Sequence, residues 1–148
     1  MKSTFIFFIL LSMISIQSCT PSKSHEDIHL KLSPIYSDGV LYLTPVITYD
    51  GELPVTLYYG NTVAWIETVK KEDETIYTNE EHNLLLDHQS TLEQDDEREG
   101  ETIELEVDPG TYEVVLKAVY SLSVNGETAE LEGEEYTHRL TQKLELKR

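Results

Sequence analysis

The chain has 148 residues, of which 39% are hydrophobic, and this length is enough for one domain that buries a sizeable core. Its 28 Asp and Glu residues against 11 Lys and Arg give a net charge of −17. Such a charge disfavours binding to nucleic-acid phosphates, which depends on Lys and Arg, and it is compatible with solubility, a cationic partner or cation binding.

The chain begins with an apolar run, FIFFILLSMISI, over residues 5–16. A helix that spans a membrane needs about 20 apolar residues, whereas the apolar part of a signal peptide needs about 7 to 15. The run leads into Ile16-Gln17-Ser18-Cys19, which resembles the bacterial lipobox, and Cys19 is the only cysteine in the chain. We therefore predict a signal peptide over residues 1–18 and a lipid, such as palmitate, on Cys19. The alternatives are a secreted protein with an incidental cysteine and an uncleaved anchor.

The lipid on Cys19 is predicted to hold the protein at the cell membrane, on its extracytoplasmic face. The next segment, TPSKSHED, is polar and contains a proline, which is typical of a tether. We predict a lipidated tether over residues 19–27 and one domain over residues 28–148. Without residues 1–18 the chain has 28 acidic residues against ten Lys and Arg, a net charge of −18. Anionic headgroups repel such a surface, so that contact with the membrane is expected through the lipid.

From Ile28 onward, short segments rich in Val, Ile, Tyr and Thr alternate hydrophobic with polar residues, which is typical of β-strands. Turn sequences such as SDG, YGN, DPG and VNGE separate them. Only the segment 79–94 is ambiguous, and it could be a short helix, an irregular crossover or a weak strand. The spacing of the strands predicts an antiparallel β-sandwich. The predicted strands cover residues 28–35, 39–49, 54–60, 62–71, 75–78, 102–108, 111–124 and 136–147.

The sequence DPGTY, residues 108–112, predicts a tight turn followed by a strong strand. Tyr112 is placed like the tyrosine corner of immunoglobulin-like folds, in which the hydroxyl binds a nearby backbone carbonyl. The alternative is a generic hairpin that happens to contain a tyrosine.

Residues 41–118 resemble the Bacillus-type intracellular proteinase inhibitor family. The similar pieces are PVTLYYG after a polar turn, the aromatic strand AWIETV, the strand start at Gly100-Glu101, and PGTYEV. The family commonly has an asparagine in the turn before the Pro-Val pair, whereas this chain has Asp50-Gly51-Glu52-Leu53. The resemblance implies a small immunoglobulin-like β-sandwich, and it implies protease inhibition as a candidate activity.

No catalytic or metal-binding motif stands out in the sequence. There is no Gly-x-Ser-x-Gly elbow, no glycine-rich phosphate loop and no His-Glu-x-x-His. The histidines do not have the spacing of zinc ligands on one strand or helix face, and solvated side chains are the expected state. We predict no enzyme activity, no cofactor and no metal site. The histidines are His25, His29, His82, His88 and His138.

Two acidic runs, residues 93–101 and 127–135, lack the glycine-containing loop that wraps calcium in EF-hand sites. We expect solvated charge, with weak divalent-cation binding as the alternative.

The nine tyrosines, with Tyr58, Tyr59 and Trp65 on neighbouring predicted strands, suggest either an aromatic interface or ordinary packing. The sequence thus predicts a non-enzymatic, membrane-anchored binding or accessory module that contacts another envelope protein. A protease inhibitor that acts through an exposed loop is the alternative.

Overall fold

A computed structural model describes residues 24–79, 85–124 and 135–147. These residues form ten strands, and none of them belongs to a helix that is long and apolar enough to cross a membrane. The strands are β1 (Ile28–Ser37), β2 (Val40–Tyr49), β3 (Val55–Tyr59), β4 (Ala64–Lys71), β5 (Glu74–Thr78), β6 (His88–Leu92), β7 (Glu97–Glu99), β8 (Ile103–Glu106), β9 (Gly110–Val124) and β10 (Glu135–Leu146).

The strands form two antiparallel sheets. In the first sheet β1 pairs with one side of β2, and β7 and β8 pair with successive parts of its other side. In the second sheet β10 pairs with one side of β9, while β3 and β4 pair with its other side one after the other. β6 extends this sheet beyond β3, and β5 extends it beyond β4. The all-β, antiparallel, immunoglobulin-like β-sandwich predicted from the sequence is confirmed.

The core lies between the sheets and has two clusters, each with residues from both. One cluster joins Ile47 of β2 to Leu57 of β3 and Tyr120 of β9, and the other joins Leu43 of β2 to Leu116 of β9. These residues are fully buried because period-two alternation turns every second side chain of each strand towards the opposite sheet.

The predicted strands agree with the structure to within a few residues, but one short strand was not predicted and another was only one of three alternatives. β7 was not predicted, and β6 lies in the ambiguous segment 79–94, whose residues 88–92 form a strand. Both have polar sequences, HQSTL and ERE, and form because β3 and β2 offer them partner edges. Residues 80–84 lie outside the described chain.

The tyrosine corner is confirmed. The Tyr112 hydroxyl donates a hydrogen bond to the carbonyl of Asp108 at 2.6 Å, and the side chain is 1% exposed. Tyr112 stands near the start of β9, so this bond fixes the turn that brings the chain from β8 in one sheet to β9 in the other.

The predicted signal peptide and the lipidation residue Cys19 lie outside the described residues, as does most of the tether. Residues 24–27, the last part of the predicted tether, are described, and they contact the sandwich. The Asp27 carbonyl accepts a hydrogen bond from the Asp50 amide at 3.0 Å, just beyond the end of β2.

Candidate functional site

One long side of the sandwich is open between the two sheets. Among the described residues β1 pairs only with β2, and β10 pairs only with β9, so both are edge strands on this side. The space between them, here called the edge groove, has a volume of about 510 Å³. Its lining includes His25, Ile28, His29, Leu30, His138 and Leu140.

The groove is floored by side chains that the sandwich covers only in part. Leu30 of β1 and Leu140 of β10 line the groove and are half-buried against the core. Farther along β10, beyond the groove, Leu144 is buried and Leu146 is half-buried. The incomplete cover follows from the missing neighbour, because an edge strand has packing partners on one side only. The groove therefore combines an apolar floor with unpaired strand edges.

One end of the groove is built around His138, which comes from the inner face of β10. Its Nε2 accepts a hydrogen bond from the backbone N–H of His25 at 3.2 Å and lies 2.7 Å from the Tyr120 hydroxyl. A backbone N–H can only donate, so Nε2 carries no proton, the Tyr120 hydroxyl donates, and the neutral ring holds its proton on Nδ1. His138 also stacks on the Tyr120 ring, with 5.6 Å between centroids.

The surroundings of His138 favour this neutral form. Burial lowers the pKa of His138 below its usual value, and the neighbouring His25 and His29 lower this pKa further. Burial raises the pKa of the Tyr120 hydroxyl, and the neighbouring Tyr136 adds to the increase. At neutral pH the Tyr120 hydroxyl is thus an uncharged donor, and Nε2 of His138 is an uncharged acceptor.

The structure differs from the expectation of solvated histidines at two of the five positions. His25 and His138 meet in the edge groove, although they are 113 residues apart in sequence. The only sequence signal for this contact is that His138 shares its face of β10 with Tyr136, Leu140 and Leu144, which point to the core.

The other described histidines lie at the surface. His29 binds the Asp50 carboxylate at 2.9 Å, and His88 binds the Asp87 carboxylate at 2.7 Å. His82 lies outside the described residues. Within residues 24–79, 85–124 and 135–147, no three His, Cys, Asp or Glu side chains are arranged to hold a metal ion.

The acidic run 93–101 forms a turn and a strand. The Asp96 carboxylate accepts a hydrogen bond from the Glu93 amide at 2.9 Å, and the backbone of Asp95 and Asp96 binds Tyr49 of β2. Glu97 forms an ion pair with Lys31. This run thus fastens β7 to β2. In the second run only Glu135 is described.

Of the three residues that suggested an aromatic interface, Tyr59 and Trp65 are buried, whereas Tyr58 is half-buried. The first two are 7% and 5% exposed, respectively. The Tyr59 hydroxyl binds Ser90 of β6 at 2.8 Å, and the Lys117 ammonium group lies 5.8 Å from the centre of the Trp65 ring. These two residues therefore contribute to packing within the second sheet, as the alternative interpretation predicted.

Comparison with known proteins gives similar folds at low sequence identity. No family model and no curated protein matches the chain. A crystal structure described as the ApaA protein from Bordetella pertussis is 18% identical over 86% of this chain and 99% of its own, with a TM-score of 0.49. A structural genomics target is 15% identical over 80% and 84%, with a TM-score of 0.41. The seventh PapD-like domain of human CEP192 is 9% identical over 95% and 97%, with a TM-score of 0.35. Similarity at this level does not indicate what the chain binds or does.

Proposed function

We propose that this chain is a non-enzymatic lipoprotein, anchored through Cys19 on the extracytoplasmic face of the cell membrane. In this proposal it binds an extended strand of another envelope protein along β10. The observation that carries the proposal is the regular outer edge of β10, where backbone groups have no strand partner within the described chain. Such an edge supports β-augmentation, in which main-chain hydrogen bonds hold an added strand.

β10 is better suited to this role than the other described edges. It pairs with β9 over twelve consecutive residues, from Glu135 to Leu146, without a register shift. β1, on the same side, contains Pro34, which offers no N–H for pairing. On the opposite side, β5 and β6 have five residues each, β8 has four and β7 has three, and short edges of this kind resist added strands.

The charge of β10 supports docking as well. The strand carries Arg139 and Lys143 against Glu135 and Glu145, so that its net charge is zero. The mature chain has a net charge of −18, and most of its surface would repel an acidic partner. A neutral or acidic strand can thus approach β10 without the repulsion that it meets elsewhere.

The apolar floor of the edge groove offers hydrophobic surface that a bound strand would cover. Leu140 in the groove and Leu146 farther along β10 are half-buried, and a strand beside β10 would place its own inward side chains against them. Main-chain bonds would supply affinity, and the fit of these side chains would supply specificity.

The predicted anchor leaves this edge accessible. Cys19 precedes Ser24 by five residues, so the lipid can lie at most about 18 Å from the N-terminal end of the groove. β10 runs from this end towards the opposite pole of the sandwich, since Tyr136 pairs with Tyr120 and Leu146 pairs with Gly110. A partner in the envelope would therefore approach β10 along its unpaired edge.

Site-specific crosslinking tests the proposal. A photo-crosslinking amino acid at Thr141 of β10 is compared with the same amino acid at Thr78 of β5, since both are exposed threonines in edge strands. We expect one envelope protein to be crosslinked from position 141 and not from position 78. Equal yields from both positions, or no product from position 141, would contradict the proposal.

The inhibitor alternative has one structural observation in its favour. Leu53 is 54% exposed, while its carbonyl accepts a hydrogen bond from the buried Tyr49 hydroxyl. A fixed turn that presents an apolar side chain loses little entropy when a protease binds it. A crosslinker at position 53 that captures a protease, with no product from position 141, would favour this alternative over β10 docking.

A further inference from the structure

The N-terminal residues 24–26 are held to the sandwich by a bond that depends on one imidazole nitrogen. The backbone N–H of His25 donates to Nε2 of His138, and this acceptor is shared with the Tyr120 hydroxyl. The His25 ring also packs edge-on against Tyr136, with centroids 5.4 Å apart. β10 thus contributes both the acceptor and the ring that fix His25.

The other bonds of the segment follow from the position of His25. Its ring Nδ1 accepts a hydrogen bond from the Asp27 amide at 3.3 Å, and its carbonyl accepts one from the Ile28 amide at 3.4 Å. These distances are at the long end of the range for N–H···O and N–H···N bonds. Residues 24–26 are therefore held on the sandwich through the contacts of His25 with His138 and Tyr136, while Asp27 is also bound to Asp50.

We propose that His138 is a pH-operated latch, and that a proton added to its Nε2 releases residues 24–26 from β10. Protonation converts Nε2 from an acceptor into a donor. The Tyr120 hydroxyl can reverse its role and accept from the imidazolium, but the His25 N–H cannot. Two N–H donors then face each other at 3.2 Å, and the His25 amide loses its partner. The proton comes from the solvent, and no other bond is formed or broken.

The charged and titratable groups around His138 mostly oppose its protonation. Two histidines face it with potential positive charge, one glutamate lines the same groove with negative charge, and two tyrosines are neutral, while the one arginine directs its guanidinium group to Glu67. Burial and the neighbouring histidines lower the pKa of His138, so the latch is closed at neutral pH and opens in acid. The groups are His25 and Glu26 in the segment, His29 on β1, Tyr120 on β9, and Tyr136 and Arg139 on β10.

Release would change how far the domain can stand from its anchor, a consequence that rests on the proposed lipid at Cys19. With the latch closed, Cys19 precedes the bound His25 by six positions, and this stretch spans at most about 22 Å. With it open, the first fixed residue is Asp27, which is bound to Asp50, and the limit rises to about 29 Å. A longer reach would let β10 meet strands farther from the membrane.

Amide hydrogen exchange tests the latch in the full chain, held in detergent micelles. The protection factor of the His25 amide is measured by NMR at about pH 7.5 and about pH 4; the lower value lies well below the ordinary histidine pKa of about 6.5 because the pKa of His138 is lowered. We expect a loss of protection of about tenfold or more at the lower pH. The loss should have the same midpoint as the titration of the His138 ring.

Two variants make the test specific. His138→Gln keeps an oxygen acceptor near the position of Nε2 but cannot titrate, and it should hold the His25 amide equally well at both pH values. His88→Gln alters an exposed histidine on β6 and should leave the acid response intact. An unchanged His25 protection factor in the natural sequence would overturn the latch. So would an equal loss in His138→Gln, or a midpoint that follows the ring of His29 or His88. None of these readings depends on the lipid or on a partner.

Discussion

At the scale of single residues, two buried tyrosine hydroxyls close turns at opposite poles of the sandwich. Tyr112 binds the carbonyl of Asp108, four residues before it, and Tyr49 binds the carbonyl of Leu53, four residues after it. Each turn connects a strand of one sheet to a strand of the other. A phenol ring in the core thus fixes the direction in which the chain leaves or enters a strand, through one bond to the backbone.

We expect Tyr112→Phe to lower the free energy of unfolding by about 1 kcal/mol or more, because a buried hydrogen bond is lost and the Asp108 carbonyl loses its donor. Denaturant unfolding of the variant measures this change. Tyr42→Phe, at a half-exposed tyrosine of β2, serves as the control and should have little effect. An unchanged midpoint for Tyr112→Phe would mean that the corner bond does not contribute to stability.

The lowered pKa of His138 predicts a loss of stability in mild acid. The unfolded chain binds a proton on this side chain below about pH 6.5, whereas the folded chain resists it. The contribution of neutral His138 to the free energy of unfolding is therefore complete above about pH 6.5. It decreases as the pH falls through the folded-state pKa of this side chain. Urea midpoints between about pH 7.5 and about pH 5 should fall in the natural sequence and in His88→Gln, and fall less in His138→Gln. A parallel fall in all three would assign the effect to other groups.

At the scale of elements, the link from β7 to β8 passes between the two sheets at Gly100. The Gly100 amide donates to the Pro45 carbonyl in the first sheet at 2.8 Å, and the next amide, that of Glu101, donates to the Ala64 carbonyl in the second sheet at 2.9 Å. A Cβ on Gly100 would lie 2.1 Å from the Ala64 carbonyl oxygen. The two sheets can share this connection only because the residue has no side chain.

Two glycines therefore predict different costs for the same substitution. Gly100→Ala pushes against backbone that belongs to β4, and we expect it to lower the free energy of unfolding by about 3 kcal/mol or more. Gly51→Ala would place its Cβ 2.2 Å from the Tyr49 hydroxyl oxygen, which is the end of a side chain and can swing away. For this variant we expect about 1 to 2 kcal/mol, since the Tyr49 bond is lost. Denaturant unfolding measures the loss of free energy of unfolding in each variant. A larger loss for Gly51→Ala than for Gly100→Ala would contradict the close contact proposed between Gly100 and β4.

At the scale of the whole molecule, the proposed lipid and the charge have opposing effects on contact with the membrane. Without residues 1–18 the chain has a net charge of −18 and is repelled by anionic headgroups, so the proposed attachment would depend on Cys19. Each buried CH₂ of an acyl chain contributes about 0.8 kcal/mol, and two or three chains give firm attachment. A single atom, the sulfur of Cys19, is thus expected to decide where the protein resides.

We expect Cys19→Ser to abolish incorporation of palmitate and to release or misprocess the protein. Membrane fractionation with labelled palmitate measures both effects. The natural sequence should be labelled and sediment with membranes, whereas the variant should be unlabelled. Equal labelling of the two would remove Cys19 as the lipidation site.

The acidic charge predicts a small and unselective response to divalent cations. In residues 93–101 the Asp96 carboxylate already binds the Glu93 amide, and Glu97 is paired with Lys31. Millimolar calcium and magnesium should therefore shift the thermal midpoint slightly and by similar amounts at matched ionic strength. A specific site would add about 2.7 kcal/mol at a hundredfold excess over its Kd. A saturable rise of several degrees with calcium alone would reveal such a site.

Local sequence was sufficient for the parts of this protein that depend on neighbouring residues. Period-two alternation and β-favouring residues identified eight of the ten strands, because most of them bury one face through their own sequence, although β5 has no buried residue. DPGTY identified the tyrosine corner, since its hydrogen bond joins residues only four apart. The lipobox is likewise a local pattern, and Cys19 remains a prediction from it.

Tertiary structure decided the features that need residues far apart in sequence. β6 and β7 have weak strand sequences and exist because β3 and β2 present edges to them. The His25–His138 contact spans 113 residues and forms only because β1 and β10 end their sheets on the same side. The edge groove also forms because β1 and β10 end their sheets on the same side. Alternation specifies which side chains point inward, but strand order determines which edges remain unpaired and which buried side chains meet.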